Sequence, residues 1–227
     1  MKNILTYAAV VLTAAACVRS APGAAASPTV NTAELPIASD AAADSLLADV
    51  RSLAPGIVVT LRYATPNNFT GAPIIGYEGN HAYLRTQAAA ALARVERDLA
   101  RRGLGLKIFD AYRPVRATLA MVDWTMRVNR ADLIRDGYIA SRSRHNLGLA
   151  VDLTLIRLAD SAELEMGTPF DTFSAAAHTA NATGVAADDR QRLKRAMENE
   201  GFANYDQEWW HFTFSLPDPR RFDRVIR

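Results

Sequence analysis

Four residues of this 227-residue chain have the types and spacing to build a hydrolytic centre: His145 and Asp152 in the run SRHNLGLAVD, and Glu208 and His211 in EWWH. His145 falls in a polar, glycine-containing loop. Asp152 falls mid-strand, where Leu149, Val151, Leu153 and Leu155 alternate with Ala150, Asp152 and Thr154. A carboxylate there is costly to bury unless a cation meets it, and the intervening loop can fold His145 back over the strand. In a second strand pattern Trp210, Phe212 and Phe214 alternate with Trp209, His211 and Thr213, so His211 is expected to share a side with Trp209. Glu208 stands an odd number of residues from His211. A regular strand would point the two apart, so Glu208 is expected in the turn or irregular beginning of the strand, leaning over the metal.

Each residue also has a plainer reading. Asp152 could pair with an arginine and leave His145 exposed, His211 could be a satisfied core histidine, and Glu208 a solvated carboxylate. Taken together they match a mononuclear site in which two histidines and one carboxylate leave a fourth position of a tetrahedral zinc ion open. Such a site lowers the pKa of bound water to about 7 and polarises a carbonyl. A nearby uncoordinated carboxylate then serves as base toward the water and as acid toward the leaving amine. A third signal is Asp110-Ala111-Tyr112-Arg113-Pro114. Proline holds Arg113 extended, so its guanidinium is either aimed at an oxyanion or paired structurally with Asp110 or Asp152.

The elements that must position these groups follow from periodicity. Residues 57–63 (IVVTLRY) form a β-type run before the turn-rich ATPNNFTG. Ala88, Leu92, Val95 and Leu99 recur at helical spacing between Arg85 and Arg102, and Gly103 ends that helix. Residues 106–109 read as a buried strand. Pro114 then opens a helix with Val115, Leu119, Val122 and Met126 on its apolar face. Asp188 is expected to cap a helix through Asn199 with Leu193, Ala196 and Met197 inside. Helices around a mostly antiparallel sheet, not in strict βαβ order, give an α+β single domain.

Composition narrows the function. A formal net charge of +2 with 22% charged residues leaves no basic stripe for nucleic acid. One cysteine excludes both an internal disulfide framework and a thiolate-rich metal site. Residues 1–17 read as an export signal: Lys2 is followed by the short apolar run ILTYAAVVLTAAAC, and Cys17 after three alanines resembles the lipidated cysteine of a bacterial lipoprotein. An ordinary signal cleaved after the alanines at 24–26 is the alternative. Residues 18–43 read as a flexible tether and 44–227 as the folded domain, exported to the periplasm or cell envelope.

The runs SRHNLGLAVDLTL, EWWHF, DAYRP and LRYATPNNFTG together resemble the D-alanyl-D-alanine dipeptidases, the vancomycin-resistance type of zinc D,D-peptidase, from about Leu53 to Phe214. The resemblance implies the zinc D,D-peptidase (Hedgehog-like) fold and one zinc ion per chain held by His145, Asp152 and His211. Glu208 would be the base and Arg113 the arginine that stabilises the transition state. Tyr63 and Asp171 would lie near the substrate ammonium, with Ser143 as a further substrate contact. The implied substrate is a small D,D-dipeptide, in peptidoglycan turnover or dipeptide salvage. Alternatives are a D,D-carboxypeptidase or endopeptidase, and a non-catalytic binding protein on the same fold. The chain departs from the family in Asn146-Leu147, where a Ser-Arg pair is common, in Leu149, where a small residue is usual, and in a shorter segment between Met126 and Tyr138, which widens the site mouth. His81 and His178 match no ligand motif and read as structural.

Overall fold

The structure, a computed structural model, describes residues 35–227. The expected export segment with Cys17, and the tether up to residue 34, lie outside the described residues. Ordered structure begins before the expected boundary at Asp44. Leu35 packs against the core, β1 (Ile37–Ala38) pairs in parallel with β9 (Arg221–Phe222), and α1 (Asp40–Leu46) is capped by the Ser39 side chain. Alanines that look like linker by size are strong helix formers, and Ala43 is fully buried.

The chain continues through β2 (Leu47–Asp49), β3 (Val58–Val59), β4 (Tyr83–Arg85), α2 (Thr86–Ala100), β5 (Leu104–Asp110), α3 (Val115–Arg127), α4 (Asp132–Arg135), β6 (Ala150–Arg157), α5 (Gly184–Glu198), β7 (Phe202–Tyr205) and β8 (Glu208–Phe214). The main sheet has the order β3-β5-β6-β8-β7. Only its β3–β5 pair is parallel. This is the expected α+β class with a mostly antiparallel sheet. Helices α2 and α5 pack against the sheet and against each other, with Ala88, Leu92, Val95 and Leu99 of α2 buried as its spacing predicts.

Three local expectations are corrected. The 57–63 run is a strand only at Val58–Val59 and then turns at Arg62–Ala64. Helix α5 starts at Gly184 after Thr183, so Asp188 lies within the helix and does not cap it. Helix α3 turns its small residues inward: Ala117, Thr118 and Met121 are buried, whereas Leu119 and Met126 are 56% and 63% exposed. Asn146 Nδ2 donates to Thr118 Oγ1 at 2.9 Å, and a close approach of this kind requires small side chains on the facing surface. Among the described residues, no helix is long and apolar enough to cross a membrane.

Candidate metal centre

Register brings the distant motifs together. Asp110 of β5 pairs with Asp152 of β6, and Asp152 pairs with His211 of β8, so three adjacent strands set these side chains in one row. His145 arrives from above on a tight turn, Arg144–Leu147, where Ser143 Oγ accepts from the His145 N–H at 3.2 Å. The turn ends at Gly148 (φ 63°), where the left-handed backbone and an added Cβ crowding the Leu47 side chain at 2.5 Å and the Arg85 backbone at 3.2 Å both favour glycine.

One donor atom from each of His145, Asp152 and His211 lies within 4.8 Å of the others. His145 Nε2 stands 3.2 Å from His211 Nδ1 and 3.3 Å from Asp152 Oδ2, and His211 Nδ1 stands 2.8 Å from Asp152 Oδ1. His145 Nδ1–H donates to the Ala111 carbonyl at 2.6 Å, which leaves the Nε2 lone pair free for a metal. Around these donors Asp110, Asp152, Asp171 and Glu208 share one guanidinium, that of Arg113. The donor types, the tautomer set by Ala111 and the excess of buried carboxyl groups over buried cations all suit a divalent cation such as zinc. His81 bonds Asp49 at 2.7 Å and His178 faces the Tyr138 hydroxyl at 3.2 Å, away from this cluster.

Glu208 joins the cluster through a bulge. One step along β7, from Asn204 to Tyr205, corresponds to four along β8, from Phe212 to Glu208. The Asn204 side chain staples the bulge by donating to the carbonyls of Glu208 (3.1 Å) and His211 (3.0 Å). Glu208 Oε2 therefore lies 3.9 Å from His211 Nδ1, on the same side. The bulge also overturns the alternation expected for the tryptophans. Trp210 lines the cleft beside His211, and Trp209 turns away to donate to Thr168 Oγ1 at 2.9 Å. Burial, and then the carboxylates of Asp152 and Asp171, push the Glu208 carboxyl well above the ordinary range.

Arg113 makes the structural pair considered for it and also lines the cleft. Its Nε and Nη2 donate to Asp110 Oδ2 at 3.0 and 2.8 Å, and the guanidinium lies over the Tyr63 ring and lines the cleft. Asp110 is fully buried and also accepts from the Tyr77 hydroxyl at 2.7 Å. Asn146 donates to the Arg113 carbonyl, tying the SRHN turn to the DAYRP segment. Tyr77, Asn146 and Asn204 were not picked out as site residues from sequence, and Asp110 entered only as a possible structural partner of Arg113, the pairing observed.

Tyr63, Asp171 and Ser143 all line the same cleft, of about 650 Å³. Tyr63 Oη donates to Asp171 Oδ1 at 3.0 Å, while the buried Asp171 Oδ2 has no partner among the described residues. Burial first, and then the Asp152 charge, raise the Asp171 carboxyl to about 8. Its backbone is left-handed (φ 61°), a conformation that Asn tolerates equally well. A folded pKa above the unfolded value means that stability is complete below about pH 4 and declines as pH rises through about 8. Metal-free Asp171→Asn is therefore expected to match the parent near pH 4 and to exceed it by on the order of 5 kcal/mol above pH 8. Urea denaturation of both proteins at pH 5 and pH 9 checks this; a pH-independent difference would refute it.

Two imidazoles, one carboxylate and an unligated carboxyl beside them define the class of site used by mononuclear metallohydrolases. The chain belongs to the D-Ala-D-Ala dipeptidase family of the M15 peptidases: the family model described as D-ala-D-ala dipeptidase matches residues 43–225. It is 37% identical to the D-alanyl-D-alanine dipeptidase of Enterococcus faecium over 69% of this chain and 85% of that one. It is 34% identical to the Streptomyces coelicolor D-alanyl-D-alanine dipeptidase over 72% and 89%. A solved vancomycin-resistance D,D-dipeptidase bound to a D-Ala-D-Ala phosphinate analogue aligns at a TM-score of 0.40, with 17% identity, over 76% of this chain and 68% of that one.

Proposed function

We infer that this chain hydrolyses D-alanyl-D-alanine to two D-alanines with one zinc ion held by His145 Nε2, Asp152 and His211 Nδ1. The single observation that carries this reading is the convergence of those three donors beside the unligated Glu208. Bound there, zinc would supply a Lewis acid for the scissile carbonyl and make water acidic enough to attack near neutral pH. Glu208 takes a proton from the attacking water and hands it to the departing amine as the C–N bond breaks. Its buried surroundings favour holding that proton between the two steps. Arg113, fixed by Asp110, donates toward the oxyanion. Asp171 and Tyr63 receive the substrate ammonium, which supplies the partner that Asp171 Oδ2 lacks. The Ser143 hydroxyl accepts from His145 N–H and keeps its own hydrogen for the substrate.

An acylated amine would leave Asp171 buried against a neutral group, so blocked peptides should be rejected. Release of D-alanine from D-Ala-D-Ala and from its N-acetyl form is the test. The free dipeptide is expected to be cleaved at least about 100-fold faster, with turnover lost on zinc chelation and regained with zinc. Equal rates would make the protein a D,D-carboxypeptidase, and no D-alanine from any D,D-peptide would make it a binding protein. The signal-like residues 1–17 support export to the cell envelope, with Cys17 as lipid anchor and dipeptide salvage as the setting. Recovery of the mature protein in the cytosol would defeat that part of the reading.

A further inference from the structure

The cleft is larger than its proposed substrate needs. D-Ala-D-Ala has eleven non-hydrogen atoms, and even at the roughly 30 Å³ that each water occupies in the liquid they fill about 330 Å³, about half of the 650 Å³ present. Two kinds of residue line the cleft. Ser141, Arg142, Ser143 and Arg144 are polar or cationic and suit the substrate carboxylate. The other kind is a run of aromatic contacts that starts at Tyr63, in the proposed ammonium site. Phe69 meets Tyr63 edge-on at 5.9 Å and Phe173 at 5.2 Å, and Phe173 meets Tyr138 at 5.9 Å. Met121 and Ile134 add apolar lining to the same cleft. Phe173 lies two residues beyond Asp171 on the same loop. The carbon that bears the ammonium also bears the first side chain, so a substrate whose amine sits on Asp171 holds that side chain within the same part of the cleft that Phe69 and Phe173 line.

We propose that this enzyme takes, as its better substrates, D,D-dipeptides whose amino-terminal residue carries a branched aliphatic or aromatic side chain, D-Ala-D-Ala being the small member of the class. The proposal rests on the dipeptidase reading above and keeps its chemistry: one amide bond is broken and one water added. Apolar burial of the larger side chain strengthens binding, while the free amine remains obligatory.

The test compares kcat/KM of the zinc-loaded full chain on D-Leu-D-Ala, D-Ala-D-Leu and D-Ala-D-Ala. D-Leu-D-Ala is expected to exceed D-Ala-D-Ala by at least about tenfold, the size of gain that filling an apolar pocket gives, with no gain for D-Ala-D-Leu. In Phe173→Ala the ratio of D-Leu-D-Ala to D-Ala-D-Ala should fall at least about fivefold. Both rates come from one preparation, so the folded fraction cancels from the ratio. D-Ala-D-Ala cleaved as fast as or faster than D-Leu-D-Ala overturns the proposal and leaves the dipeptidase reading intact. A gain on D-Ala-D-Leu instead, or a ratio unmoved by Phe173→Ala, also overturns it. If none of the three peptides is cleaved, the dipeptidase reading falls and this proposal with it.

Discussion

Glu208→Gln is expected to lower kcat on D-Ala-D-Ala by about 10²–10⁴-fold, the usual contribution of a positioned acid–base group, while the protein still binds zinc. The geometry separates these two outcomes. The three candidate donors lie within 4.8 Å of one another without Glu208, whose Oε2 stands 3.9 Å from one of them, His211 Nδ1. Glutamine keeps the shape that fills the space beside Trp210 and leaves the backbone bonds from Asn204 to Glu208 and His211 in place. What it removes is the capacity to accept a proton from water and return it to the amine. KM should change little, because the proposed ammonium site is Asp171 and Tyr63, not Glu208. Steady-state kinetics with metal analysis of the same samples decides the matter. A variant that keeps a tenth or more of its turnover would show that Glu208 is not the base, and one that loses its zinc would show that it is a ligand.

Much of this centre was legible in the sequence because its groups are few and sit in structured surroundings. With four histidines in the chain, a histidine in a polar loop followed by an aspartate in an aliphatic strand already demands a cation. Strand alternation puts Asp152 and Ala150 on one side, and the observed register then sets Asp152 against His211. Less legible was anything decided by a departure from regularity. The β8 bulge exchanges the expected places of Trp209 and Trp210, and a period-two pattern contains no signal for the extra residues. On α3 the larger apolar residues suggested the wrong face, since Leu119 and Met126 look like core while Ala117 and Thr118 are what the His145 turn can pack against. The role of Asp110 depends on which residue lies opposite on the neighbouring strand, and one strand's sequence does not record that.

Asp110 is the residue whose loss should spread furthest. It faces Asp152 across two strands, an unfavourable pairing of like charges that Arg113 relieves by lying 2.8 Å from Asp110 Oδ2 and 3.9 Å from Asp152 Oδ2. Asp110→Asn keeps the volume and can still meet the Tyr77 hydroxyl, but it leaves a buried guanidinium without its closest anion. Breaking a buried pair in this way costs about 3–5 kcal/mol, which denaturant unfolding of the metal-free protein should register. Of the carboxylates that remain around the freed Arg113, Asp152 lies 3.9 Å from its Nη2 and is also a proposed zinc ligand. A cation drawn onto that carboxylate competes with the metal, and His145 at the same time loses the Asp110 oxygen 3.5 Å from its Nδ1. Zinc affinity is therefore expected to fall about 10–100-fold. With zinc held at saturation, kcat should remain about 10²–10³-fold down because Arg113 no longer points at the oxyanion. A structural role alone would lower stability and leave both the zinc affinity and the saturated kcat of the folded fraction unchanged. That result would remove Asp110 from the site, whereas a joint loss places it beneath the metal and the arginine together.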